Sequence, residues 1–180
     1  SLGADIIGGC CGTSPEFIKS LYDIMSMDIK ADKKIRKADS ADEKVSKKCG
    51  FLYDENGRKK DKKFIAVELI PPFNTDDEKL LESAHYLKNA GVDVLTFPDS
   101  PSGRTRVDSV LMAAKVYRET GIDVMPHVCC RDKNAFAMRA MFMGAKINDI
   151  KNFLIITGDP VPASARDLVK SVFNFSSVGL

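Results

Sequence analysis

Four polar residues close short apolar runs: Glu68 after Phe64 to Val67, Thr96 after Val92 to Leu95, His127 after Ile122 to Pro126, and Thr157 after Asn152 to Ile156. Glu68 has the chemistry of a general acid. Set between an apolar strand and Pro71-Pro72, its carboxyl would occupy a partly apolar mouth, where desolvation favours the protonated form. A strand-end carboxylate that binds a neighbouring cation is the plainer account of the same residue. Asp159 follows Gly158, whose missing side chain lets backbone approach a ligand, in a loop between a strand and a helix where cofactors commonly bind. Gly-Asp-Pro is equally ordinary turn chemistry. His127, alone at its strand end, has the pattern of a hydrogen-bonded structural histidine more than of a catalytic base, and His85 falls inside a helix with no role. Cys10 and Cys11 offer two soft sulfur ligands suited to Zn²⁺, although a zinc site needs three or four protein ligands and Cys49 is a poor third. Arg104 and Arg106 could meet a phosphate or a carboxylate, with surface solvation the simpler account. Cys129 and Cys130 read as small apolar packing residues, and Met138, Met141 and Met143 as core filling.

The elements that must hold these groups follow from their spacing. From Glu68 to Thr157 the steps are 28, 31 and 30 residues, about one strand plus one crossover helix each, the length of a βαβ unit. A parallel β/α array is the economical reading, and such arrays place their chemistry at the carboxyl ends of the strands. Strands are predicted over 64–70, 92–97, 122–128 and 152–157. The first helix opens at Asn74 to Asp77 and carries Leu80, Leu81, Ala84, Leu87 and Ala90; Gly91 and Gly121 stop the first two helices. A third helix is predicted over 133–143, ending at Gly144, and a fourth over 163–172, with a further element begun at Phe173.

Upstream, Asp5-Ile6-Ile7 runs into a glycine turn, Gly8 to Gly12. There Thr13 or Ser14 can cap a helix whose first position suits Pro15 and whose apolar face is Phe17, Ile18, Leu21, Ile24 and Met25. One strand end and one helix cannot bury a core, so residues 1–25 read as the tail of something larger. Residues 26–63 hold 13 Lys/Arg and 8 Asp/Glu with few aromatics, the composition of a charged, solvated linker. Its end, Phe51-Leu52-Tyr53, is expected to dock.

With 44% hydrophobic and 29% charged residues, the chain has the composition of a water-soluble globular protein. No apolar run nears the roughly 18 residues of a membrane span, and the N-terminus lacks a signal-peptide pattern. A cytoplasmic location is the default expectation, with no nucleic-acid or membrane partner. Five cysteines, two pairs of them adjacent, suit reduced thiols or metal ligands better than a disulfide framework.

Two motifs resemble known families. Gly8-Gly9-Cys10-Cys11-Gly12-Thr13 with its following helix resembles the final βα unit of the homocysteine S-methyltransferase barrel. Val67-Glu68-Leu69-Ile70-Pro71-Pro72, with Thr96, His127 and Thr157-Gly158-Asp159-Pro160, resembles the first half of methylenetetrahydrofolate reductase. Their order resembles the bacterial bifunctional fusion of the two families. The resemblance implies residues 1–25 as a remnant of one barrel, 26–63 as a charged linker, and 64–180 as the amino-terminal half of a TIM (β/α)8 barrel. A fragment spanning the junction is expected to be inactive by itself, because a closed barrel takes roughly 250 residues.

The implied chemistry is flavin-dependent reduction of methylenetetrahydrofolate to methyltetrahydrofolate with NAD(P)H as cosubstrate, part of one-carbon metabolism and methionine biosynthesis, fused to zinc-dependent methylation of homocysteine. The resemblance implies Glu68 as proton donor and Asp159 beside the FAD ring and the folate. It implies Thr96 and His127 as flavin contacts, with Phe97, Asp99, Thr157 and Gly158 in the same cofactor-facing turns, and Cys10 and Cys11 as zinc ligands. A rival reading is a noncatalytic half-barrel that binds a phosphate-bearing ligand or, through open strand edges, assembles into a homo-oligomer.

Overall fold

The computed structural model describes Glu16, Lys19, Ser20, Asp23 and residues 49–180. The chain divides into two compact units, Ser1–Val45 and Ser46–Leu180. In the first, the four described residues are helical and exposed, and the Ser20 hydroxyl donates to the Glu16 carbonyl at 2.9 Å. They form the polar face of the helix predicted there. The glycine turn, the apolar face and Cys10 and Cys11 lie outside the described residues.

The second unit is a β/α alternation. Its elements are β1 (Ala66–Glu68), α1 (Glu78–Asn89), β2 (Val94–Phe97), α2 (Ser109–Thr120), β3 (Asp123–Cys129), α3 (Ala135–Ile147) and β4 (Leu154–Ile156). The four strands lie in sequence order β1-β2-β3-β4 and every pairing is parallel. Parallel neighbours require a crossover, and each helix supplies one. Among the described residues no helix is long and apolar enough to cross a membrane.

Strand alternation sorts the side chains. Leu95 and Phe97 of β2 and Val124 and Val128 of β3 face the helices and share one core with Leu80 and Ala84 of α1, Met112, Ala113 and Val116 of α2, and Met138 and Ala145 of α3. Burying each large aliphatic chain contributes about 1.5–3 kcal/mol, which makes this helix-facing layer the main source of stability. The opposite face carries the intervening residues. Glu68 pairs in register with Thr96, Thr96 with Met125, and His127 lies two positions beyond Met125, so Glu68, Thr96 and His127 share that face.

Helix ends follow their capping residues closely. Asp108 accepts from the amides of Val110 and Leu111, Asn134 accepts from Ala137, and Gly121 closes α2 at φ 67°, a left-handed conformation that glycine adopts without strain. Asp77 begins α1 without capping it; its carboxylate instead takes Lys115 of α2 at 2.6 Å.

Three expectations are corrected. Gly144 does not stop α3, which runs on to Ile147 because buried Ala145 anchors another turn and Asn148 closes it. The helix predicted over 163–172 is a single 3₁₀ turn, Ala163–Ala165, with Leu168 89% exposed; short helices depend on packing an apolar face, and this one packs none. No strand follows Phe173. Of the methionines, Met138 is buried and Met141 packs against the core, whereas Met143 is exposed.

The end of the charged segment does dock. Phe51 is buried, meets Phe64 edge-on at 5.3 Å between ring centroids, and its amide donates to Asn152 Oδ1 at 3.1 Å. Asn152 in turn donates to the Val124 carbonyl, which ties the approach to β1 to the start of β4.

Candidate active site at the strand ends

The carboxyl ends of the strands carry two kinds of polar residue. Glu68, Thr96 and His127 form the first. Glu68 is exposed, Thr96 is 7% exposed and His127 is half-buried. Among the described residues none hydrogen-bonds the carboxylate, the Thr96 hydroxyl or the imidazole. Burial pushes His127 below its ordinary value of 6.5, and the nearby carboxylates of Glu68 and Asp99 partly oppose that. At neutral pH the ring is therefore uncharged, with one donor and one acceptor nitrogen. The apolar mouth expected around Glu68 is not built by the described elements: β1 has three residues, and both Ala66 and Glu68 are exposed.

The second kind is already engaged. Asp99 is buried, and its Oδ2 accepts from the Cys129 amide at 3.0 Å and from Lys133 Nζ at 2.7 Å. Burial alone would depress Lys133; the charge and hydrogen bond of Asp99 outweigh it and hold the ammonium above its ordinary 10.5. Arg131, also buried, grips Asp132 with Nε and Nη2 and donates from Nη1 to the Asp159 carbonyl at 3.0 Å. Asp159 is exposed, and its Oδ2 accepts from the Ser102 amide at 2.9 Å. Thr157 is bridged to Ser177 through both the hydroxyl and the amide of that residue. Together these contacts knit the loops after β2, β3 and β4.

Gly158 has a positive φ of 98°, and a Cβ there would collide with Cys129 Sγ. Its freedom lets the loop lie down on Cys129 and Arg131. Phe97 turns wholly into the helix-facing core, 0% exposed, so at the rim it offers only backbone. Cys129 and Cys130 are buried as read from the sequence, and burial pushes both thiols up from their ordinary value, which keeps them protonated and unreactive.

Arg106 is a correction to the solvated reading. Its Nη1 donates to the Pro71 carbonyl at 2.8 Å and its guanidinium lies 3.6 Å from the centre of the Phe73 ring. Arg104 stays exposed. Sequence reasoning missed Ser109, Arg131 and Lys133. The signal for Lys133 was a lone cation in the loop after β3 with a lone carboxylate, Asp99, in the loop after β2. Ser109 gave none, because its partner is a backbone carbonyl.

A recess of about 420 Å³ is lined by Leu69, Glu82, Ser83, Tyr86 and Leu87 and holds none of the strand-end row, so chemistry and not volume marks the site. A polar recess of about 200 Å³ lies among the loops, with Ser100, Gly103, Thr105, Arg131 and Lys170 on its walls. No group of three His, Cys, Asp or Glu able to hold a metal occurs among the described residues.

An unpaired carboxyl, hydroxyl and neutral imidazole in one row suit a planar ligand with alternating donors and acceptors along its edge. No curated protein matches the chain. A family model for methylenetetrahydrofolate reductase matches residues 54–177, taking in every strand and helix of the β/α unit. With more than half of its length so matched, the chain belongs to the methylenetetrahydrofolate reductase family.

Proposed function

We propose that this β/α unit is the first half of a barrel that reduces methylenetetrahydrofolate to methyltetrahydrofolate, with NAD(P)H as reductant and FAD as carrier. The observation that carries the reading is the row Glu68, Thr96 and His127, whose side chains hydrogen-bond no other described residue, on one face at the carboxyl ends of adjacent parallel strands. Bound FAD would supply hydride chemistry that no side chain possesses. Thr96 and His127 would hold its polar edge, and neutral His127 would bind without contributing charge. Glu68, open to ligand, would pass its proton to the folate nitrogen, opening the bridging methylene ring to an iminium ion ready for hydride. Asp159, with one carboxylate oxygen held by Ser102, would present the other to flavin and pterin. Arg131 and Lys133 act on the protein side, fixing the loops that carry Asp159 and Asp99.

The upstream Gly8 to Thr13 motif supports a fused zinc-dependent homocysteine methyltransferase. About one zinc per chain, lost on Cys10→Ser, would support that fusion, and a metal-free protein would remove its basis. A second reading, a noncatalytic assembly module, is favoured by Phe136, Met143 and Ile147, exposed on one face of α3. One preparation separates the two main readings. Flavin absorbance that copurifies, with methyltetrahydrofolate formed from methylenetetrahydrofolate and NAD(P)H, supports the reductase. A colourless dimer without turnover supports the module.

A further inference from the structure

Pro71 and Pro72 follow Glu68 by three and four residues, and neither has an amide hydrogen. Leu69 donates to the Thr96 carbonyl at 2.9 Å, and beyond Ile70 the two prolines can offer their neighbours only carbonyls. Both proline carbonyls go to consecutive residues ahead of α2: Arg106 Nη1 takes Pro71 at 2.8 Å, and the Val107 amide takes Pro72 at 3.0 Å. The Arg106 guanidinium also lies on the Phe73 ring, and its buried Nε finds no partner among the described residues. The next residue, Asp108, caps α2. Ser109, 1% exposed, then donates its hydroxyl to the His127 carbonyl at 2.7 Å. Arg106 and Val107 thus hold the exit of β1, and Ser109, just past the cap, holds the end of β3.

We propose that Arg106 and Ser109 are positioning residues that fix the separation of Glu68 and His127 across the end of β2. Neither touches the ligand; each acts through backbone it holds. The kinetic consequence rests on the reductase reading of Glu68, whereas the geometric claim does not. Glu68 and Asp99 are the carboxylates whose charge reaches His127, and Asp99 is held by Lys133. Loosening the grip on Pro71 moves Glu68 away and leaves Asp99 in place.

The test is NMR titration of His127 in the full-length protein, with exposed His85 as internal reference. Arg106→Ala lowers the His127 pKa, in the direction that Glu68→Gln lowers it, and in the Glu68→Gln background it produces no further shift. An unchanged His127 in Arg106→Ala, or a shift of equal size in both backgrounds, overturns the proposal. If Arg106→Ala loses a cooperative melt, Ser109→Ala, which removes one hydroxyl, is read through the same cycle with the same expected sign. In turnover, Arg106→Ala reduces kcat roughly tenfold or more with little change in KM, the cost of a misplaced proton donor. If Glu68→Gln proves fully active while the titration cycle behaves as described, the reductase reading of Glu68 falls and the positioning claim stands.

Discussion

One end of one sheet carries two polar populations built to opposite specifications. The side chains of Asp99, Lys133, Arg131 and Thr157 spend their hydrogen-bonding capacity on the protein, joining three loops, whereas those of Glu68, Thr96 and His127 bond no other described residue. Glu68 is exposed and His127 half-buried, and the buried side-chain polar atom left without a partner among the described residues is Arg106 Nε, not a member of this row, so the row stays open to solvent or a ligand without a desolvation penalty in folding. On the proposed reading the engaged cluster answers to stability and the open row to function, and substitutions should separate along that line.

The largest effect is expected in the open row. Glu68→Gln keeps shape and removes the proton; folate reduction should fall roughly 100- to 10,000-fold, while thermal unfolding followed by circular dichroism stays within a degree or two of the parent. A large fall in melting temperature would erase the distinction between the two populations.

Next come the engaged groups. Gly158→Ala forces a Cβ against Cys129 Sγ at a backbone angle that disfavours it, and denaturant unfolding should report a loss of about 3 kcal/mol. Lys133→Met leaves buried Asp99 without its cation. The expected loss is about 2 kcal/mol, less than the roughly 3–5 kcal/mol of a fully buried pair because Lys133 keeps some exposure. That stability has a pH signature: the Lys133 ammonium is held above 10.5, so the contribution is complete below that pH and lost as pH rises through the folded value. Stability curves of parent and variant should converge in strong base.

The smallest effect concerns His127. Because its folded value lies below 6.5, the unfolded chain binds a proton that the folded chain refuses between the two values. Stability should be full above 6.5 and decline as pH drops through that window. His127→Asn should flatten the decline, measured as melting temperature against pH.

Much of the arrangement was legible in the residues. The even steps from Glu68 to Thr157 predicted parallel β/α order because a crossover has a minimum length, and Gly121 marked a helix end because only a left-handed residue fits there. The helix predicted over 163–172 shrinks to a 3₁₀ turn because its sequence supplies no apolar face that packs, Leu168 being 89% exposed. Gly144 misled for the converse reason, since packing of Ala145 carries α3 past a poor helix former. Within the site, residue chemistry left Glu68 open between an acid and a cation-binding carboxylate and favoured a structural His127, and only the family resemblance marked both for the site. Nothing marked the roles of Arg106 and Ser109, because their partners are carbonyls of proline and histidine, and a backbone partner leaves no mark on residue type.

The most direct test of the central claim follows the two half-reactions of Glu68→Gln separately by rapid mixing. Reduction of bound flavin by NAD(P)H needs no proton from this carboxyl and should stay within about threefold of the parent, while reoxidation by methylenetetrahydrofolate should slow at least 100-fold. Equal slowing of both steps, or of neither, would contradict the assignment of Glu68 as the proton donor.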